Sequence, residues 1–261
     1  MSRTVPPYPA EGRQLLAGKT VVVTAAAGTG IGFWVARRAL EEGATVLISD
    51  LHERRLREAR EELAELTGKK CEAVLCDVTR QEQVDRLRDD ALAALGRVDV
   101  LINNAGLGGT ANLVEMSDAQ WSKILDVTLT GTMRVTRAFL PHMLERRAGA
   151  IVNNASVLGW RAQLGQSAYA AAKAGVMAFT RCVAMEAAGA GVRVNAVAPS
   201  IAMHEFLAKV TPEGLLEELE KREAFGRAAA PFEVANVMVF LASDYASYLT
   251  GEVISVSSQH P

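Results

Sequence analysis

Ser156, Tyr169 and Lys173 stand in the pattern N-A-S, twelve residues, then Y-A-A-A-K. A Tyr and a Lys four positions apart lie on one face of a helix, one turn from each other. An ammonium beside a phenol favours the phenolate. It draws a pKa that starts near ~10 toward the range where proton transfer at neutral pH is useful. A serine hydroxyl nearby can hold a substrate oxygen while that proton moves. Together these groups can interconvert an alcohol and a ketone. YxxxK alone is also a common accident of composition, so its meaning depends on what stands around it.

Those side chains need a rigid frame, and the chain reads as one. TVVVT (20–24), ATVLISD (44–50), CEAVLCD (71–77), VDVLINNAG (98–106), AIVNNAS (150–156), VRVNAVAP (192–199) and EVISVS (252–257) are apolar, β-branched runs of strand length. Amphipathic segments separate them. One charged helix ends at Gly68, and a long one covers roughly 118–146. Strand and helix in alternation require parallel strands with crossover helices. The expected fold is α/β: a single-domain, doubly wound (Rossmann) parallel sheet of about seven strands with helices on both faces. Residues 1–15, Pro-rich and polar, read as a flexible N-terminal tail. Residues 16–261 read as one domain, with a substrate lid at about 200–225.

In such sheets ligands sit beyond the carboxyl ends of the strands. The Gly-rich turn, Asp50, Asp77, Asn104, Ser156 and Pro199 all fall there. Thr24, Ala26, Gly28, Thr29, Gly30 and Ile31 join strand one to helix one, where glycines let the backbone approach a pyrophosphate at a helix N-terminus. Asp50 ends strand two, 18 residues past Gly32. A carboxylate there can accept from ribose hydroxyls and repels a 2′-phosphate, which favours NAD over NADP. Arg54 and Arg55 are the counterweight. Asp77, followed by Val78, can meet an adenine edge or cap the next helix with Thr79.

Bulk properties bound the rest. The chain has 261 residues, 49% hydrophobic, with net charge −2. No basic run points to nucleic acid, and no apolar run is long enough to span a membrane. The N-terminus lacks the apolar core of a signal peptide, which points to a cytoplasmic protein. Cys71, Cys76 and Cys182 read as three small buried hydrophobes. No Cys/His cluster points to a metal.

These motifs, with N-N-A-G (103–106), N-A-V-A-P (195–199), G-R (226–227), F-L-A-S (240–243) and T-G (250–251), resemble the short-chain dehydrogenase/reductase family from about Leu16 to Gly251. The resemblance implies Tyr169 as general acid/base, Lys173 as the group that lowers the tyrosine pKa and holds the nicotinamide ribose, and Ser156 as the carbonyl anchor. It implies cofactor contacts at Leu51, Asn104, Ala105, Gly106, Val127, Pro199 and Ile201 beside the residues above. It also implies a homotetramer.

The chain departs from the family's pattern at three places. Its Gly-rich turn opens Thr24-Ala25 instead of Thr-Gly and carries an extra residue. Thr128 replaces the usual Asn that holds a water behind the lysine, so an altered relay through Thr128 is expected. The end reads V-S-S-Q-H-P.

Leu107, Val157, Leu158, Trp160, Met203 and Phe206 are expected around the substrate, and an apolar pocket suits a bulky alicyclic or acyl group. The runs T-A-A-A-G-T-G-I-G and N-N-A-S-V-L-G-W-R-A-Q are similar to an actinobacterial subgroup of the family. Its members act in breakdown of the last two steroid rings, on hydroxy-hydrindanone CoA thioesters. That implies a CoA-linked small-molecule substrate, with Arg161 and Lys209 as candidate cations for it. A 3-oxoacyl-CoA/ACP reductase is the alternative within the same chemistry. A non-catalytic nucleotide-binding regulator is the alternative outside it.

Overall fold

The computed structural model describes Tyr8, residues 12–203 and residues 214–258. Seven strands form one parallel sheet: β1 (Thr20–Thr24), β2 (Thr45–Asp50), β3 (Glu72–Leu75), β4 (Val100–Asn103), β5 (Gly149–Asn154), β6 (Val192–Pro199) and β7 (Val253–Val256). Their order across the sheet is β3-β2-β1-β4-β5-β6-β7, and every pairing is parallel. The chain therefore winds outward from β1 in one direction and then, from β4, in the other. The loops after β1 and β4 part at that point and leave a crevice between them.

Apolar alternation builds both faces. Val21, Val23, Val46 and Ile48 join the cluster under α1 (Ile31–Glu41) and α8 (Pro231–Ala242). Val22, Leu47, Leu101 and Ile151 join Phe139 and Met143 on the opposite face. That face is covered by α3 (Gln81–Leu95), α5 (Gly131–Arg146) and α6 (Ser167–Ala188). Because both faces are covered, the central strands carry consecutive apolar residues and present no solvent-facing polar side. α2 (Glu53–Thr67) ends on Gly68 in the left-handed conformation, φ 67°, as a helix C-terminus favours.

The helix expected over 118–146 is one path with a fault in it. α4 (Asp118–Leu125) passes through a π-helical segment, Asp126–Thr130, into α5. Gly131 donates to Asp126 O, one residue further back than an α-helix allows. A Cβ on Gly131 would come within 2.7 Å of Val78 Cγ2, so the helix lies close against the loop after β3. Nothing in the polar/apolar period reports such a bulge.

The segment expected as a tail is docked where it is described. The Tyr8 ring lies 5.3 Å from Trp34 and 5.2 Å from Phe232, with the Arg37 guanidinium 4.5 Å above it. Its hydroxyl donates to Glu41. Just beyond, the fully buried Glu42 accepts from Arg13 N at 2.7 Å and Leu15 N at 3.0 Å, and pairs with Arg38 at 2.5 Å. Of the cysteines, Cys71 and Cys76 are buried, and burial pushes their thiols up to about 11 and about 12. Cys182 departs from the expectation: it faces outward from α6 and is exposed. No helix among the described residues is long and apolar enough to cross a membrane.

Replacing Tyr8 with Ala removes a ring stacked on two aromatics and a guanidinium. It should lower unfolding free energy by about 2 kcal/mol, read from urea titration, with the sheet's circular dichroism unchanged.

Candidate active site

Strand ends place most of the groups, and α6 and the π segment place the rest. Beyond Val23 and Ile102 the β1–β4 ladder stops, and Thr24 continues the join through its side chain. Thr24 Oγ1 accepts from Asn104 N at 3.0 Å and Ala105 N at 3.3 Å, and donates to Ile102 O at 3.3 Å. Thr24 is thus tied into the frame under the turn. Ala26 is buried as well, its N–H on Ser49 O.

The turn itself is open above. Gly28 has φ 90°, and no atom lies within 4 Å of where a Cβ on Gly28 or Gly30 would stand. Gly30 precedes α1 without any side chain capping the helix, so the first N–H groups face the turn. This is a cradle for a phosphate-bearing group at a helix N-terminus. Gly32 serves a different purpose. A Cβ there would meet Ala25 O at 2.4 Å and Asn104 Nδ2 at 2.5 Å, so only glycine lets the helix approach. Ala25, where the family pattern has Gly, takes φ 51°, a left-handed conformation that L-residues rarely adopt. The departure seen in the sequence is therefore carried as local strain at the first residue of the turn.

Asp50 closes the crevice on the β2 side. Its carboxylate accepts from Ala27 N at 3.2 Å and His52 N at 3.0 Å. Burial raises its pKa, opposed by the Ala27 hydrogen bond and by Arg55. Arg54 is engaged with Glu58 at 3.0 Å on the surface. Asp77 and Thr79 do not cap α3, whose N-cap position is Arg80 with no side-chain bond; Asp77 Oδ1 instead closes the turn before it, accepting from Thr79 N at 2.9 Å and Thr79 Oγ1 at 2.7 Å. Val78, buried, packs on Gly131, while Leu51 and Thr29 are exposed at the crevice rim. Ile31 and Val127 are half-buried. Pro199 ends β6, followed by the half-buried Ile201.

Ser156, Tyr169 and Lys173 come together as the spacing predicts. Ser156 follows β5 and is buried, its Oγ accepting from Leu158 N at 3.2 Å. Burial pushes the Tyr169 hydroxyl up to about 12, and a hydrogen bond with Ser156 acts in the opposite direction. Lys173 is 2% exposed, and burial alone pulls its ammonium down to about 7. Its Nζ lies 5.5 Å from the centre of the Tyr169 ring, and it donates to Asn154 O at 2.5 Å.

Thr128 is fully buried in the π segment, and both functions of its hydroxyl are engaged by Leu107. It accepts from Leu107 N at 3.0 Å and donates to Leu107 O at 3.2 Å. A Cβ on Gly106 would stand 3.4 Å from Lys173 Nζ and 3.9 Å from Thr128 Oγ1, so all three border one space.

Of the residues expected around substrate, Leu107 lines a cavity of about 160 Å³ with Met116 and Ile124. Met203 lines a second, of about 310 Å³, with Glu220 and Arg227. Val157 is buried, Leu158 half-buried, and Trp160 38% exposed. Phe206 and Lys209 lie outside the described residues. Arg161 already has an acidic neighbour, the buried Glu223 at 3.7 Å. Asn154 was not singled out by its spacing. The doublet N-N-A occurs at both 103–105 and 153–155, and that repetition is the signal that marks it.

A family model described as enoyl-(acyl carrier protein) reductase matches residues 25–258. A crystal structure of a short chain dehydrogenase from Mycobacterium smegmatis superposes with TM-score 0.88, at 56% identity, over 99% of each chain. The chain belongs to the short-chain dehydrogenase/reductase family. As a member it is an oxidoreductase that uses a nicotinamide dinucleotide, NAD(P)(H). It is also 61% identical, over 100% of both chains, to "(5R,7aS)-5-hydroxy-7a-methyl-1-oxo-2,3,5,6,7,7a-hexahydro-1H-indene-carboxyl-CoA reductase" of Mycobacterium tuberculosis. Family members from further away include a 3-oxoacyl-[acyl-carrier-protein] reductase FabG of Thermotoga maritima, 41% identical over 92% of this chain and 97% of that one.

Lys173 makes the stability of this dehydrogenase depend on pH in a set direction. Its pKa is about 7 folded, below the ordinary lysine value of 10.5. The unfolded chain therefore holds the extra proton between those limits, and stability from this group is lost as pH falls through that window. Lys173→Met removes the effect. The stability of the native enzyme relative to that variant should rise from pH 7 to 10, read by chemical denaturation at each pH.

Proposed function

We propose that the protein interconverts a secondary alcohol and a ketone with NAD(H), on a bulky alicyclic CoA thioester derived from a steroid ring. What carries this reading is 61% identity over the full chain to a reductase whose name states such a substrate. The apolar side chains around Ser156 agree with it. The 3-oxoacyl reductases share less sequence, at 41%, and are the second reading. A catalytically silent nucleotide-binding regulator is disfavoured by the presence of Ser156, Tyr169 and Lys173 together.

The open cradle over Gly28 and Gly30 and the buried carboxylate of Asp50 fit a dinucleotide. When bound, it supplies or removes the hydride. N–H groups of the turn through Ile31 hold its pyrophosphate. Asp50 takes the adenosine ribose and disfavours a 2′-phosphate, with Leu51, Asp77 and Val78 around the adenine. Asn104, Ala105, Gly106 and Val127 line the middle of the crevice, and Pro199 and Ile201 the nicotinamide end.

Ser156 holds the substrate oxygen. Tyr169, protonated at neutral pH because burial raises its pKa, donates to a ketone oxygen as the hydride arrives. In the reverse direction the same hydroxyl must first be phenolate. The Lys173 ammonium eases that step electrostatically and binds the nicotinamide ribose. Thr128 acts from behind, by fixing the Leu107 loop. Of the lid expected at about 200–225, Met203 and α7 (Leu215–Arg222) are described and would border the substrate, while residues 204–213 lie outside the described residues. A homotetramer in the cytoplasm is the expected working state.

Purified enzyme with a hydroxy-hydrindanone CoA thioester and NAD should produce NADH absorbance. Turnover of straight-chain 3-oxoacyl thioesters alone would overturn the proposal in favour of the second reading. Tyr169→Phe should lower kcat about 10³-fold in both directions. Ketone reduction should be flat across neutral pH, while alcohol oxidation climbs with pH toward the tyrosine's raised value. Asp50→Ala should narrow the preference for NAD over NADP about tenfold or more, measured as the ratio of kcat/KM values.

A further inference from the structure

β4 and β5 end in the same doublet, and the register sets Asn103 beside Asn153. The inner pair is bonded to itself: Asn103 Nδ2 donates to Asn153 Oδ1 at 2.9 Å and to Thr136 Oγ1 at 2.9 Å. Asn153 Nδ2 then donates to Thr180 Oγ1 at 2.9 Å. That rung belongs to the core.

The outer pair runs elsewhere. Asn104 Nδ2 donates to Ala25 O at 3.0 Å, and Asn154 Nδ2 donates to Asn104 Oδ1 at 2.9 Å. Lys173 Nζ donates to Asn154 O at 2.5 Å. A continuous path of three hydrogen bonds therefore joins the first residue of the Gly-rich turn to the buried ammonium. The amide orientations follow from the ends of the path. Ala25 O can only accept, so Asn104 must present its NH₂ there and its oxygen to Asn154, which must then donate. Asn154 Oδ1 is left buried, with no donor among the described residues.

We propose that Asn154 is the positioning residue for Lys173, setting the ammonium relative to the dinucleotide turn. It rests on the reading that Lys173 serves Tyr169 and the bound dinucleotide. The resemblance gives an Asn in the fourth crossover the task of supporting the lysine. Here position 128 is Thr, and its hydroxyl is engaged by the Leu107 backbone. The group that meets Lys173 Nζ is instead a main-chain carbonyl at the end of β5, that of Asn154. A fixed carbonyl dipole against Nζ favours the charged ammonium over the neutral amine, against the cost of burial. Among the described residues no carboxylate acts on Lys173, and Tyr169 is the titratable group beside it. The β6 pairing at Val197 holds the strand end that carries this carbonyl, and the Asn154 side chain, pinned by Asn104, ties that end to the turn as well. Movement of the turn on cofactor binding is thereby felt at Lys173, and the reverse.

The test uses the full-length protein with NADH as probe. Asn154→Leu keeps the volume and cuts the path, and Asn154→Asp places a carboxylate beside the ammonium. Nitrogen-detected NMR of the Lys173 ammonium should show its midpoint fall by about half a pH unit or more in the Leu variant and rise in the Asp variant. NADH fluorescence titration should show affinity weakened about tenfold in the Leu variant. Asn104→Leu, which cuts the same path from the turn side, should move the lysine midpoint in the same direction as Asn154→Leu. It stands in should the first variant fail to fold. Folded variants with an unmoved Lys173 midpoint and unchanged NADH affinity would overturn the proposal. Both readouts are independent of substrate. A native enzyme inactive on the hydrindanone thioester would therefore sink the substrate assignment and leave this one standing.

Discussion

One threonine hydroxyl holds the crevice together. The parallel ladder between β1 and β4 ends at Val23 and Ile102, where the two chains must part to leave in opposite directions. Past that point no backbone pairing sets their separation. Thr24 Oγ1 does so by accepting two N–H groups from the β4 loop and donating to the carbonyl before it. Side-chain hydrogen bonds of this kind matter most where the backbone groups would otherwise be buried and unpaired. The Gly-rich turn departs from one side of that joint, and Asn104 from the other. Every cofactor contact proposed above depends on the distance it keeps.

The same crowding makes the chemistry. Lys173 and Tyr169 are drawn from a helix packed against strand ends, so both are desolvated, and each is pushed toward its neutral form. A neutral phenol is a competent acid for a ketone oxygen. A lysine with a pKa near neutrality is sensitive to any dipole placed beside it. In the protein described here that dipole is the carbonyl of Asn154, and the Ser156 hydroxyl acts on the phenol. The site is therefore tuned by a few directed hydrogen bonds within a desolvated pocket, with no opposing carboxylate among the described residues.

Much of this was legible beforehand because it is periodic or local. Runs such as TVVVT carry consecutive apolar residues, with no polar alternation, only when both faces are covered, which marks a parallel sheet. Tyr169 and Lys173 share a face because a helix repeats every 3.6 residues. Asp77 with Thr79 is also a local pair, but it closes a turn one residue short of the α3 cap position at Arg80. Other features have no local signature. The π segment at Asp126–Thr130 arises where Gly131 must pass close to Val78, a residue 53 positions away in the chain. Thr128 consequently faces Leu107. The docking of Tyr8 needs Trp34 and Phe232 from two different helices. The exposure of Cys182 depends on which side of α6 meets the sheet.

The sequence by itself determined the fold class, the family and the spacing that brings Ser156, Tyr169 and Lys173 together, since each is written along one chain. It also marked Ala25 as unusual, and the backbone there is indeed left-handed. Only the tertiary structure decided how the trio is wired. Hydrogen bonds from Ala25 through Asn104 and Asn154 to Lys173 join two loops, the end of β5 and α6, from distant parts of the chain. Their existence depends on strand order and register, and a linear pattern of residue types does not encode which strand ends come to lie side by side.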